Sequence, residues 1–519
     1  MKDGFLSPMM AEANAQPPAE LQPGRDWLKC LGLASVILLG MILAGLLYTR
    51  GQRILSNDSF CYLAYAKQFK EHLPDRLGDW WPFGFPVAGA LVSRCTGVSA
   101  HTGLFVVSAL AYGSVLAGFF LVLPRAMRTK PSFLACAAAL TCAPVCLHLL
   151  YGTMSEPLFA AALFWLAVSL ADWPRPAAVV LSAGLALTAF CAKYAGIFTL
   201  GVIALHALTN YNRLRQTKSV TMVAAIYALA LAVAVGLMYT NYRVFGHATG
   251  PQPFGKESFL SWPAQLADFG WSPVGAFISV TAFQAVGGIK SWPGLLFGWT
   301  SAAFMLGLCA HAWKRDATRF SKPLALTAAA YILSIVTLRS TTPFEAISTP
   351  RTFLPVLFPL GVLAFQALTP RGSRALFMGA CPSVALSLLL AARGWSRELY
   401  GDVSCARTGL ARVITRESSV AVNGPAASLA AYFPNHFFPV ASSDDGLCPV
   451  WGPTARWDPQ KRDFTVIVAK RSGRFGREAC FEGNWLELVS CALASNRASL
   501  IESNANCIIL RSTPPKSQH

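Results

Sequence analysis

Apolar residues in this chain come in long unbroken runs rather than in alternation or in one-face stripes. The first, Leu28–Tyr48, carries almost no polar residue, and about 20 such residues in a helix cover the hydrocarbon core of a bilayer. Comparable runs recur at residues 101–124, 131–150, 155–172, 175–192, 194–210, 219–240, 292–313, 322–339, 352–369 and 374–393. Neighbouring runs are joined by tight, Pro-containing or basic connections. A further apolar stretch, Trp80–Gly97, is short and broken by Pro82, Gly84 and Pro86. It reads as a helix lying in the interface, with Trp80 and Trp81 at headgroup level. Beyond about residue 394 the pattern changes to short β-runs (SSVAVNG, DFTVIVAK, NCIILRS) alternating with helical stretches (AASLAAYF, GNWLELVSCALAS). The pattern predicts an all-α polytopic membrane domain of about eleven transmembrane helices over residues 25–393, and a small C-terminal α/β domain over residues 394–519. Residues 1–24, polar and rich in Pro and Ala, read as a disordered tail.

Composition agrees with the pattern and charge gives it a direction. The chain is 54% hydrophobic and 13% charged, about half the charge of an ordinary soluble domain, with a mean hydropathy of +0.45. Its net charge of +18 would suit a nucleic-acid partner if it formed a surface stripe. Instead, Lys and Arg gather in the short connections, which excludes that class. With the N-terminus inside, the inner connections hold Arg125, Arg128 and Lys130, then Arg175, then Arg213, Arg215 and Lys218, then Lys314, Arg315, Arg319 and Lys322, then Arg371 and Arg374. Every inner connection is basic, as the positive-inside rule requires. Reading Trp80–Gly97 as a span would invert all of them. Residues 49–100, residues 241–291 and the C-terminal domain then face outward, into the periplasm if the membrane is a bacterial inner membrane. Cys405, Cys448, Cys480, Cys491 and Cys507 fall in that outer domain, where some can pair, with one left over. No cysteine pair has zinc-site spacing with a suitable His, so no structural metal is expected; no cofactor is expected either, a divalent metal being allowed but not favoured.

Ionisable residues on the outer side are the candidate chemistry. Asp58 opens an amphipathic helix in the first outer loop (SNDSFCYLAYAKQFKEHL). As a carboxylate it can cap that helix, or act just outside the first span. Glu156 stands at the mouth of a span (YGTMSEPLFAAALFW), between a helix-start role marked by Ser155 and Pro157 and a functional one. Cations share this side. Lys193 and Tyr194 interrupt an apolar pair of runs, Arg243 and His247 follow the seventh span, Lys256 and Glu257 lie in the second long loop, and Glu345 and Arg351 flank a tight outer turn. Snorkelling explains such residues generically. Lys193 and Arg351, set against apolar helices, suit it least, and cations at that depth can neutralise a lipid-linked phosphate. No P-loop, HExxH or G-x-S-x-G motif occurs, and KRSGRFGRE reads as a solvated basic turn.

In their order along the chain, these features resemble the GT-C superfamily of membrane glycosyltransferases. The nearest branches are the polyprenyl-phosphate-dependent ones, the protein mannosyltransferases and lipid A aminoarabinose transferases. The features are an acidic residue after span one (Asp58, with Ser59 and Tyr62), the Pro-rich interfacial segment PFGFPVAGALVSRCTG, the S-E-P-L-F span start, the Lys193–Tyr194 break, R-T-F-L-P at Arg351–Pro355, and VAVNGPAASLAAYFP opening the tail. The resemblance implies a GT-C-like fold that moves a sugar from a polyprenyl-phosphate donor to a lipid, glycan or protein acceptor at the outer face. It assigns Asp58 as general base, Glu156 as an active-site acid, Lys193, Arg351 and Arg243 to the donor phosphate, and Tyr62, Tyr194, His247 and Glu345 as possible substrate contacts. Many relatives carry two adjacent carboxylates in the first loop. Here Ser59 follows Asp58, which weighs against a divalent metal, since such ions want several oxygen ligands.

Two other classes compete. A lipid or glycan flippase would show inverted repeats and charges near the bilayer midplane, whereas these charges sit at outer helix ends. A non-catalytic envelope-assembly protein would leave the outer charges scattered. Convergence of Asp58, Glu156, Lys193 and Arg351 separates an enzyme from both.

Overall fold

The apolar runs fold as helices because a lipid-facing backbone must satisfy its own amides and carbonyls within the segment. The computed structural model describes residues 23–49, 57–71, 82–123, 144–245, 248, 261–277, 291–341, 350–367, 404–414, 420–422, 466–470, 493–494, 498–503 and 507–512. Its helices are α1 (Pro23–Thr49), α2 (Asn57–Glu71), α3 (Gly84–Thr96), α4 (Ala100–Val122), α5 (Pro144–Tyr151), α6 (Glu156–Leu170), α7 (Pro176–Ala192), α8 (Phe198–Thr209), α9 (Tyr211–Gln216) and α10 (Val220–Phe245). They continue with α11 (Trp262–Gly270), α12 (Ser272–Phe277), α13 (Trp292–Arg315), α14 (Ser321–Thr341), α15 (Leu354–Ala367) and α16 (Ser404–Val413). Single 3-10 turns, Tyr194–Ile197 and Pro350–Thr352, precede α8 and α15.

Four of the described helices are long and apolar enough to cross a membrane: α4, α10, α13 and α14. Shorter apolar helices occupy Leu28–Leu43, Glu156–Leu170, Pro176–Ala192, Tyr194–Thr209 and Leu354–Ala367. The expected run 131–150 is described only from Pro144, and 374–393 lies outside the described residues. The broken segment after Trp80 is α3, 13 residues long, or about 20 Å at 1.5 Å per residue. That is too short to span a hydrocarbon core of about 30 Å.

Burial follows helix position. The main core joins α1, α4, α5, α6, α13, α14 and α15, with Phe119 edge-on to both Phe358 and Phe365. A second cluster joins α6, α7, α8 and α10. The large apolar residues left exposed, such as Leu229, Val233 and Val235 of α10 and Leu28, Val36 and Leu39 of α1, form the outward surface expected of lipid-facing helices. Between helices in lipid the hydrophobic effect gives little drive, so close packing by small residues takes over. Gly103 of α4 lies against the carbonyl of Gly89 in α3, and a Cβ there would collide with it. Gly270 of α11 and Gly298 of α13 meet in the same way.

The C-terminal segments form a four-stranded sheet, β1 (Val420–Val422), β2 (Val466–Lys470), β3 (Ala498–Ser503) and β4 (Cys507–Ser512), in the order β1-β2-β4-β3. The β1–β2 pair is parallel and the other two are antiparallel. Helix α16 packs on β4, where Gly409 admits Ile509 and Glu502. Three of these strands are the expected β-runs. The fourth, β3, is an addition, an edge strand that leaves Leu500 and Ile501 exposed.

Candidate active site

The turn between α5 and α6 is the point on which α2, α4 and α6 meet. Thr153 sits there with φ at 51°, a left-handed conformation that is costly for a β-branched residue. The neighbouring residues are pinned from several helices. Ser59 Oγ of α2 donates to Met154 Sδ at 3.1 Å, and Ser108 Oγ of α4 donates to the Met154 carbonyl at 3.5 Å. The Tyr62 and Ser155 hydroxyls share a hydrogen bond of 2.8 Å. Ser155 therefore does not cap α6 with its side chain. It ties α2 to the residue before Glu156.

Glu156 begins α6 with its side chain 2% exposed, and Lys193 Nζ donates to its Oε1 at 2.7 Å. An ion pair this buried holds only with good geometry and further hydrogen bonding. The Arg351 guanidinium acts on the same carboxylate electrostatically, as does the amide at its own helix start. Arg351, on the 3-10 turn before α15, and Arg339, in the last turn of α14, also act on Tyr331, which donates to the Thr352 carbonyl at 2.8 Å. Three of the four anticipated ionisable residues are thus brought together, the cations Lys193 and Arg351 both acting on the buried Glu156 carboxylate.

Local sequence explains how each is presented. Lys193 follows α7 in an extended conformation (φ −150°, ψ 130°), so the helix stops and its side chain turns toward Glu156. The chain re-enters a helix at once because Gly196 can lie against the Ala189 carbonyl, where any Cβ would collide. Tyr194 is held beside it by Asn241 Nδ2 of α10, which donates to the phenolic oxygen at 2.9 Å. The start of α3 closes the other side. Phe85, fully buried, packs edge-on to Tyr62 at 5.4 Å between centroids, and Gly84 abuts the backbone of Cys191, two residues before Lys193. Helix α12 reaches the same region, packing on α5 and on the Pro350–Thr352 turn, with Ser272 and Thr352 hydroxyls 3.5 Å apart.

Asp58 lies in the first turn of α2, directly before Ser59. Its backbone therefore stands beside the Met154–Glu156 turn, while its side chain is outside what is described. Tyr62 is buried and serves as the contact just described. Arg243 is exposed in the last turn of α10, and none of the described contacts joins it to Glu156. His247 and Glu345 lie outside the described residues, as do Lys256 and Glu257. Thr153, Ser155, Arg339 and Tyr331 were not singled out from sequence. Ser155 was legible only as a helix start, and Arg339 is one basic residue near the C-terminal end of an apolar run, a position that snorkelling accounts for. Among the described residues no three His, Cys, Asp or Glu side chains are grouped as a metal site.

Taken whole, the fold is similar to that of solved membrane proteins. Among solved structures, it aligns over nearly its full length with ArnT from Cupriavidus metallidurans. The form bound to undecaprenyl phosphate is 13% identical, with a TM-score of 0.53, over 93% of this chain and 98% of ArnT. The apo form is 12% identical, with a TM-score of 0.54, over 92% and 97%. The oligosaccharyltransferase of Archaeoglobus fulgidus aligns at 11% identity and a TM-score of 0.47, over 86% of this chain and 70% of its own. No protein-family model and no curated protein matches the sequence. At such identities the likeness is one of fold.

Proposed function

We propose that this protein is a membrane glycosyltransferase that moves a sugar from a polyprenyl-phosphate-linked donor to an acceptor at the outer face of the membrane. The observation that carries this reading is the buried Glu156–Lys193 pair with Arg351 acting on it, at the outer junction of α2, α3, α6 and α7. It is a concentration of charge that helix packing alone does not require. The ArnT form that aligns with this chain holds undecaprenyl phosphate, and a cationic cluster at the mouth of apolar helices suits a lipid phosphate. In this reading the chain has about eleven spans with its N-terminus inside. Residues 394–519 then form an outer domain, which in a bacterium lies in the periplasm.

The chemistry is a displacement at the anomeric carbon. Asp58, presented by the first turn of α2, takes the proton from the acceptor hydroxyl, whose oxygen forms the new bond to the sugar. The bond from the anomeric carbon to the phosphate oxygen breaks, and the lipid phosphate leaves with the electron pair. Lys193 and Arg351 stabilise the charge that develops on it. Glu156 holds Lys193 in place. Lys193 also puts a positive charge on the carboxylate a divalent ion would need, so the reaction we propose is metal-independent. Asp58→Asn tests it: sugar transfer from an undecaprenyl-phosphate donor should fall by about 10²-fold or more with expression unchanged. Transfer at the wild-type rate removes Asp58 from the role of base.

A further inference from the structure

The turn 151–156 satisfies nearly every polar atom it buries, and two remain. Tyr151 donates to the Ile42 carbonyl, Met154 takes Ser59 and Ser108, and Ser155 takes Tyr62. Glu156 gives Oε1 to Lys193. Glu156 Oε2 and Thr153 Oγ1 are buried and have no hydrogen-bond partner in the protein. The two residues are almost wholly buried, three positions apart on one turn. A buried polar atom without a partner costs about 1–3 kcal/mol, and Thr153 adds the cost of its left-handed backbone. Packing gains nothing from either. Strain and unsatisfied polar atoms held together by a pinned turn are the marks of a site built to receive a group.

Chemistry narrows what that group is. Lys193 donates to Oε1 at 2.7 Å, the contact of a paired carboxylate, and in that pair the second oxygen, Oε2, is a hydrogen-bond acceptor. A divalent cation would meet the Lys193 ammonium beside it. A phosphate would meet the carboxylate charge. What fits is a neutral hydroxyl, which donates to Oε2 and can accept from the Thr153 hydroxyl. We propose that Glu156 and Thr153 are the sugar-recognition pair of the donor site, gripping a ring hydroxyl, while Lys193 and Arg351 face the phosphate. This rests on the glycosyltransferase reading above, and it makes Glu156 a specificity-determining residue rather than a proton donor.

Thr153→Val tests it, because valine keeps the shape and β-branching of threonine and removes only the hydroxyl. Full-length protein in lipid nanodiscs would be titrated with undecaprenyl phosphate and with undecaprenyl phosphate linked to mannose, glucose, galactose or arabinose. The expected result is that wild type binds at least one glycosylated lipid more tightly than the bare one. Thr153→Val and Glu156→Gln should each cut that preference by roughly tenfold. Thr153→Val should leave affinity for the bare lipid within about twofold, because it touches no cation. A preference unchanged in both variants overturns the assignment, as does a wild type that binds all five lipids equally. Failure to bind undecaprenyl phosphate at all is a different result, one that overturns the glycosyltransferase reading and the assignment with it.

Discussion

Replacing Lys193 with Met removes the partner of a carboxylate whose side chain is 2% exposed. Breaking a buried pair by deleting one partner typically costs 3–5 kcal/mol, because the remaining charge stays desolvated. Two features of this site reduce that figure. Lys193 is itself 28% exposed, so less desolvation was invested in it, and the Arg351 guanidinium still acts on Glu156. We therefore expect a loss of about 2–3 kcal/mol for Lys193→Met. The double variant Lys193→Met/Glu156→Gln removes the stranded charge and should recover about half of it, a coupling of about 1–2 kcal/mol. The assay is thermal unfolding in detergent of wild type, both single variants and the double variant at one protein and detergent concentration. Strict additivity, with the double variant less stable than wild type by the sum of the two single losses, would falsify the view that Glu156 and Lys193 act as one buried unit.

Three further outcomes follow from the same geometry. Gly196→Ala should destabilise the Lys193 turn by about 1–3 kcal/mol, since its Cβ meets the Ala189 carbonyl; an unchanged melting temperature would show that the turn relaxes freely. Tyr62→Phe deletes one hydroxyl from the link to Ser155 and should cost about 1 kcal/mol, with a loss of transfer activity larger than the loss of stability if α2 positions Asp58; equal, small effects on both would separate α2 from the chemistry. Removing divalent ions with EDTA should leave transfer unchanged, because Lys193 occupies the position beside Glu156 that an ion would take; loss of activity restored by Mg²⁺ or Mn²⁺ would reverse that assignment.

The membrane domain was legible because its signal is long and repeated. Nine of the eleven anticipated runs contain a described helix over most of their length. Pro82, Gly84 and Pro86 were enough to mark α3 as too broken to span. Glu156, Lys193 and Arg351 could be named because an ionisable residue against apolar helices is conspicuous by type alone. Their convergence could not be read, since Glu156 and Lys193 are 37 positions apart and Arg351 is far beyond both. Thr153 was invisible for another reason. Nothing in GTMSE announces a left-handed backbone, because it is imposed by the tethers on Met154 and Ser155, which come from α2 and α4. The edge strand β3 escaped because ASLIES is short, mixes exposed apolar with polar residues, and carries no clean alternation.

The central proposal is that a lipid phosphate sits on Lys193 and Arg351 at the mouth of this bundle. Its most direct measurement is binding of radiolabelled undecaprenyl phosphate to purified full-length protein in nanodiscs, compared with the Lys193→Met/Arg351→Gln variant. Saturable binding by wild type, reduced by about 10²-fold when both charge-assisted contacts are lost, is the predicted result. Equal affinity in the two proteins, or no saturable binding by wild type, would contradict it.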